Sequence, residues 1–116
     1  MDLKSFNNLL ERRIKLTKKV LVSKSKEYSS ETDKLHNFKA AAAVDSETPE
    51  QALWGMYKKH LVSIIDMKNA TSGKEFNFTE EHIDEKIGDA INYMILLEAL
   101  FKERLNEDVK KALRKL

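Results

Sequence analysis

The sequence contains no cysteine, only one proline and only three glycines among its 116 residues. The lack of cysteine excludes a disulfide framework, a thiolate metal site and a cysteine nucleophile. The scarcity of proline and glycine, beside abundant leucine, lysine, glutamate and alanine, favours a helical protein over a β-sandwich or barrel. We therefore predict an all-α fold.

Long apolar runs are also missing. The longest one is far shorter than a membrane span, and the first residues, MDLKSFNNLLERR, lack the apolar centre of a signal peptide. The length fits one domain with one core, residues 1–116. We expect a cytoplasmic protein with no membrane partner.

Charge is unevenly distributed, although the net charge is only +2. Residues 1–27 carry a net charge of +5, residues 28–101 carry −6 and residues 102–116 carry +3. A basic N-terminal helix and a basic C-terminal tail around an acidic centre suit a cation-dependent site that receives an anionic ligand. Solvated helix faces would give the same pattern, so charge alone does not decide between these readings.

Hydrophobic spacing predicts four principal helices, at about residues 2–26, 31–43, 49–69 and 80–105. The clearest start signal is Thr48-Pro49-Glu50-Gln51, which has a capping threonine, proline at the first helical position and glutamine at the third. Thr79 is the predicted cap of the fourth helix. Residues 106–116 either continue that helix or form a short one of their own. Helices of these lengths with short connections predict a helical bundle.

Several familiar functional motifs are absent from the sequence. It has no His-Glu-x-x-His metal motif, no glycine-rich phosphate loop and no serine elbow. It has no RNA-binding aromatic motif and no zinc finger either. The first helix has a basic stripe, but apolar residues rather than polar base readers alternate with it: Arg12, Arg13, Lys15, Lys18 and Lys19. Nucleic acid is therefore the less favoured partner.

The fourth helix carries polar residues on a side that should otherwise be buried. Glu85 and Asp89 are four residues apart and project from one side of the helix, and Asn92 and Tyr93 continue that side. Two carboxylates at this spacing could hold one Mg²⁺ together with water and phosphate oxygens. Gly88 costs a helix about 1 kcal/mol relative to alanine, which indicates close approach of another helix or a ligand. The alternative is a structural role in which Asp89 pairs with a lysine or histidine at the edge of the core.

The second and third helices offer further polar groups. The candidates are Asp33, His36, Asn37 and Lys39 on the second helix, and Lys59, His60, Ser63 and Asp66 on the third. A single histidine on an apolar face is more often a hydrogen-bonded core residue than a ligand. Two histidines on different helices, each beside charged groups, favour a site more strongly. Trp54 and Tyr57 are better explained by core packing than by stacking on a base.

Three segments, KEYSSETDKLHNFKAA, ALWGMYKKHLVSIIDM and DEKIGDAINYMILL, follow one another along the chain. They resemble a group of small phage and prophage proteins that are similar to the MazG-like all-α nucleoside triphosphate pyrophosphohydrolases. The resemblance covers about residues 24–104, and its most specific pieces are Tyr28, Asn37-Phe38, Lys59-His60, Gly88-Asp89 and Asn92-Tyr93. It implies a helical bundle that dimerises or forms tetramers, holds Mg²⁺ on clustered acids of two neighbouring helices, and cuts a nucleotide between its α and β phosphates.

The chain departs from the family pattern at the metal ligands. Asp89 matches the aspartate of the family's Glu-x-x-Asp motif, but Lys86 stands where the glutamate belongs, and Glu85 lies one place away. The third helix should carry Glu-Glu-x-x-Glu, whereas residues 51–65 contain no acid. The resemblance thus implies the fold more fully than it implies the reaction.

Three functions remain open at this point. An enzyme would hydrolyse a nucleoside triphosphate, with Mg²⁺ on Glu85 and Asp89, water activated by His60 or a carboxylate, and Lys59 stabilising the phosphate charge. A binder would sequester a nucleotide or a nucleotide-derived signal. A phage accessory protein would inhibit a host protein through its surface, in the cytoplasm of a bacterial host.

The enzyme and the binder require the same arrangement of side chains. We expect one pocket formed by Asp33, His36, His60, Glu85 and Asp89, with a phosphate- and nucleotide-binding rim of Lys39, Lys59 and Tyr93 and with Asn37 and Asn92 nearby. We also expect a homo-oligomer, because the first helix is long and amphipathic and closes the core on one side only.

Overall fold

The computed structural model describes residues 1–23, 33–73 and 75–116. These residues form four helices, α1 (Leu3–Ser23), α2 (His36–Val44), α3 (Pro49–Ala70) and α4 (Glu80–Arg114). No strand occurs within these ranges. The predicted all-α bundle of four principal helices is confirmed.

Side-chain caps at Thr48 and Thr79 set the starts of α3 and α4. Thr48 Oγ1 accepts a hydrogen bond from the Gln51 amide at 3.1 Å, and Gln51 Oε1 accepts one from the Thr48 amide at 2.9 Å. Thr79 Oγ1 accepts from the His82 amide at 3.1 Å. Each cap satisfies backbone donors that the first turn of a helix leaves unpaired. Both predicted caps are therefore confirmed.

The start of α2 differs from the prediction. The helix begins at His36, and Asp33 lies in the turn before it, where its carboxylate Oδ1 accepts from the Leu35 amide at 3.0 Å. Aspartate competes for nearby backbone amides in this way and so favours turns over helix interiors. The predicted start before Asp33 is wrong, and residues 31–32, like the predicted end of the first helix at 24–26, lie outside the described residues.

Helix α4 is unbroken for 35 residues, so the C-terminal segment continues the fourth helix. Helix α3 packs against it in the antiparallel direction, because Glu50 meets Arg104 and His60 meets Asp89. Helix α2 packs on α3, and α1 packs on α4. The core lies where α2, α3 and the middle of α4 meet, and it contains Leu35, Phe38, Leu53, Tyr57, Leu96, Leu97 and Leu100.

The packed region is short relative to the helices. The radius of gyration is 17.8 Å, whereas a compact chain of this length would have about 13 Å. The first turns of α1 and the last turns of α4 extend past the core at opposite ends. Among the described residues, no helix is both long and apolar enough to cross a membrane.

Candidate ligand site on helix α4

His60 and Asp89 meet across the α3–α4 contact. His60 Nδ1 lies 3.4 Å from Asp89 Oδ2, and both side chains are half-buried. Tyr93 stands one turn beyond Asp89, and its ring centroid lies 4.9 Å from that of His60. The antiparallel register of α3 and α4 brings these three side chains together, although His60 and Asp89 are far apart in the sequence.

Asn92 is the buried polar residue next to this cluster. It follows Asp89 by three residues, and on α4 it lies between the side that contacts α3 and the side that contacts α1. Its side chain is only 7% exposed. Its Oδ1 has no hydrogen-bond partner, and neither has the buried Oγ1 of Thr17 on α1. Leaving a buried polar atom unpaired costs about 1–3 kcal/mol. Most buried polar side-chain atoms have a partner in the protein, an ordered water or a bound ion, so the unpaired Asn92 oxygen marks a candidate binding position.

Helices α1 and α3 both pack on α4, but within the described ranges they do not pack on each other. We call the space between them along α4 the cleft. Glu85, Asp89 and Asn92 are spaced four and three residues apart, so they share one side of α4. His60 of α3 meets Asp89 on that side.

Gly88 allows α1 to close on α4 beside this cleft. The Arg13 guanidinium lies over Gly88 and donates from Nη2 to the Asp84 carbonyl at 3.1 Å, and Arg12 Nη1 donates to Asp84 Oδ2 at 2.6 Å. A β-carbon on residue 88 would stand 2.7 Å from Arg13 Nη1. The predicted close approach of another helix at Gly88 is confirmed. The hydrogen bonds to Asp84 also hold the pKa of Arg12 above its ordinary value, so that guanidinium stays charged.

Asp33 and Lys39 belong to a different cluster. Lys39 Nζ lies 2.6 Å from Asp33 Oδ2 and 2.5 Å from Glu103 Oε1. Glu103 follows Asp89 by 14 residues, which is about 21 Å along a helix. The prediction that Asp33 and Lys39 share a pocket with Asp89 is wrong, because Lys39 joins Asp33 to Glu103 in the far half of α4.

The Asp33–Lys39 contact changes the ionisation of both groups. The hydrogen bond from Lys39 lowers the pKa of the Asp33 carboxyl, and the Leu35 amide adds to that effect. Partial burial lowers the pKa of the Lys39 ammonium, but the hydrogen bonds to Asp33 and Glu103 outweigh it and raise that pKa overall. Both groups are therefore charged over the physiological range.

The remaining predicted residues are distributed around the bundle. His36, Asn37, Lys59 and Asp66 are exposed, and Ser63 Oγ donates to the Lys59 carbonyl at 3.2 Å. Tyr57 is buried in the core, as predicted, whereas Trp54 is partly exposed with its ring 5.3 Å from that of Tyr57. Glu85 is mostly exposed, and its nearest cation is Lys86 at 4.0 Å. Tyr28 lies outside the described residues.

Thr17 and Asp84 are site residues that the sequence reasoning missed. Thr17 falls within the apolar stripe of α1, so its hydroxyl gives no separate signal. Asp84 precedes Gly88 by four residues, which places both on the side of α4 that receives α1. In the part of the chain that the structure describes, no three histidine, aspartate or glutamate side chains come close enough to hold a metal ion by themselves.

Comparison of the chain with protein-family models, with curated proteins and with solved structures finds no match.

Proposed function

We propose that the protein binds a phosphorylated nucleotide in the cleft between α1 and α3. The observation that carries this proposal is the buried, unpaired Oδ1 of Asn92 beside the His60–Asp89 pair. Leaving this oxygen unpaired lowers stability, and a bound ligand is a group that would complete its hydrogen bonding. Helix α1 is basic, with Arg12 and Arg13 at its contact with α4, and its positive charge favours an anionic ligand.

Mg²⁺ is part of this proposal. Asp89, Glu85 and the amide oxygen of Asn92 supply the oxygen ligands that Mg²⁺ prefers, and nucleotide phosphates commonly complete its shell. When bound, the ion would neutralise phosphate charge. His60 faces Asp89 with Nδ1 at 3.4 Å, so its other ring nitrogen is the one placed to meet a ligand. Thr17 of α1 can donate or accept a hydrogen bond.

Hydrolysis of the nucleotide is a second candidate function, and the His60–Asp89 contact favours it. A histidine oriented by a carboxylate is a common arrangement for a general base that takes a proton from water. The resemblance to the MazG-like pyrophosphohydrolases supports the same reaction. The α3 helix lacks the acids of that family, so binding has the stronger support.

A thermal-shift panel of nucleoside mono-, di- and triphosphates, with and without Mg²⁺, tests both functions. A ligand at a hundred times its dissociation constant adds about 2.7 kcal/mol to the free energy of unfolding. In a chain of this size that raises the melting temperature by roughly 10 °C. We expect a shift of this kind that Asp89→Asn and Asn92→Leu abolish and that Asp66→Asn, which changes an exposed acid on α3, leaves intact. Product analysis of each hit then separates hydrolysis from binding.

A panel without any shift in the parent protein would overturn the binding proposal. A shift that survives in both Asp89→Asn and Asn92→Leu would place the nucleotide elsewhere on the protein. Pyrophosphate release that Asp89→Asn abolishes would establish the hydrolase.

We infer, in addition, that the protein acts as a homo-oligomer. Large apolar side chains stay exposed along two helices, including Leu3, Phe6, Leu10 and Ile14 on α1 and Met94, Phe101, Leu105 and Val109 on α4. Contiguous apolar faces of this kind mark contacts with another protein. A host protein is the alternative occupant, and the pairing of faces described next favours a second copy.

A further inference from the structure

The outer face of α4 is apolar beyond the point where the other helices leave it. Glu50 of α3 and Lys39 of α2 contact α4 at Arg104 and Glu103. The helix then continues for ten more residues to Arg114. Leu105, Val109 and Leu113 follow one another at four-residue intervals in this extension and are 63%, 51% and 62% exposed. Nothing among the described residues covers this stripe, which we call the tail stripe.

A complementary apolar groove lies at the opposite end of the same helix. It runs between α1 and α4 and has a volume of about 720 Å³. Its apolar lining includes Leu9 and Leu16 of α1 and Ile83, Ile87 and Ile91 of α4. The tail stripe and the groove are therefore both apolar, and they lie at opposite ends of α4.

We propose that two copies pair antiparallel along the outer faces of α4, so that the tail stripe of each copy lies in the α1–α4 groove of the other. This interface rests on the inferred homo-oligomer and specifies its geometry. A two-fold axis makes such an interface self-complementary, because every contact occurs twice.

One antiparallel register satisfies the apolar and the charged positions together. Suppose that the two-fold axis crosses the outer face of α4 at the level of residue 100. Each residue then faces the residue of the second copy whose number, added to its own, gives 200. Leu105 then faces Ile95, Val109 faces Ile91, and Leu113 faces Ile87 of the second copy. Glu98, which pairs with Lys102 of its own chain at 2.8 Å, also faces the Lys102 of the second copy. In this register, apolar residues of one copy face apolar residues of the other, and Glu98 faces an opposite charge.

The apolar surface available for this pairing extends along α4 from Ile83 in the groove to Leu113 in the tail stripe. A standard-size protein interface needs about 800 Å² from each partner. An unrelated partner would have to supply both an apolar groove and an apolar stripe in the matching order. A second copy supplies them automatically.

The test measures the mass of the full chain by sedimentation equilibrium or light scattering. We expect a dimer for the parent protein. Leu105→Glu with Val109→Glu should weaken the dimer about a hundredfold or more, because each charge would be buried in an apolar groove. Val44→Glu, on a residue of α2 that is 84% exposed, is the matched control and should leave the dimer intact. Circular dichroism confirms that each variant keeps its helices.

Cysteine cross-linking tests the direction of pairing, and the absence of natural cysteines makes it unambiguous. Ile95→Cys combined with Leu105→Cys should give a disulfide-linked dimer in high yield. Leu105→Cys alone should not, because the two copies of residue 105 lie far apart in an antiparallel pair.

The outcomes separate the two inferences. A parent chain that stays monomeric at high concentration overturns the homo-oligomer and the interface together. A dimer that is insensitive to Leu105→Glu with Val109→Glu keeps the homo-oligomer and overturns this interface. Efficient cross-linking through Leu105→Cys alone overturns the antiparallel register.

Discussion

The Arg13 guanidinium lies directly over Gly88, so close that a β-carbon at residue 88 would meet Nη1 at 2.7 Å. Its other terminal nitrogen, Nη2, donates to the carbonyl of Asp84, one turn earlier on α4. The missing side chain of Gly88 thus makes room for a charged group that ties α1 to α4. The glycine favours this contact between α1 and α4, although it lowers the intrinsic stability of the helix that carries it.

Gly88→Ala should have two opposing effects on the free energy of unfolding of the parent protein. Alanine favours the helix by about 1 kcal/mol, but the new methyl group would displace Arg13 from Asp84. We expect little net change, or a small loss, in the free energy of unfolding measured by urea titration. In an Arg13→Ala background the same substitution should stabilise the protein by about 1 kcal/mol. Equal effects in the two backgrounds would show that Arg13 and Gly88 are not coupled.

Phe38→Ala should cause one of the largest losses of stability in the molecule. Phe38 is completely buried in the core beside Leu53, and truncating such a ring costs about 3–5 kcal/mol. Val44→Ala on the same helix is the matched control, and it should change the free energy of unfolding by less than about 0.5 kcal/mol because Val44 is exposed. A loss below about 1 kcal/mol for Phe38→Ala would contradict the described packing of α2.

Asn92→Leu should stabilise the protein while removing its ligand binding. Leucine has a similar size, and it replaces a buried oxygen that has no hydrogen-bond partner. We expect a gain of about 1–2 kcal/mol in the free energy of unfolding without ligand, together with the loss of any nucleotide-induced thermal shift. Asn69→Leu, at an exposed position of α3, should change neither quantity appreciably. A strongly destabilised Asn92→Leu variant would mean that the amide has a structural partner after all.

Asp33→Asn should lower stability at neutral pH and have no effect in strong acid. Lys39 lowers the pKa of Asp33 below its ordinary 3.8 in the folded protein. The ion pair therefore contributes fully above the unfolded pKa, and its contribution disappears as pH falls through the folded pKa. Because both side chains are partly exposed to solvent, we expect a difference of only about 0.5–1 kcal/mol.

Urea titrations of parent and Asp33→Asn at pH 7 and near pH 2 measure this dependence. Asparagine keeps the oxygen that accepts from the Leu35 amide, so the comparison isolates the charge. A stability difference of the same size at both pH values would rule out the ion pair as its source.

The sequence predicts best those features that depend on neighbouring residues. The caps at Thr48 and Thr79 are local hydrogen bonds between residues three apart, and both predictions are confirmed. The start of α2 is missed because Asp33 can accept a hydrogen bond from a nearby amide in a turn, and this turn competes with the first turn of a helix. Propensity alone cannot rank two local structures of similar free energy.

The candidate site shows where prediction from sequence stops. His60 and Asp89 lie close together, and so do Lys39 and Glu103, but these pairs are set by the register of packed helices. The hydroxyl of Thr17 is likewise invisible until α1 is placed on α4. Tertiary register, rather than residue type, decides which polar groups share a site.

The contact between α1 and α4 also affects the order in which the helices pack while the chain is being synthesised. Arg12 and Asp84 are 72 residues apart, so at 5–20 residues per second the ribosome needs roughly 4–14 s to deliver the partner of α1. Until then α1 can make only contacts that are nearer in the sequence, such as the hydrogen bond from Lys34 Nζ to the Leu21 carbonyl. Helices α2, α3 and α4 can pack with contacts much closer in sequence, and such contacts form first. Helix α1 is then the last of the four to dock on α4, and because it borders the cleft, the cleft is completed only at that step.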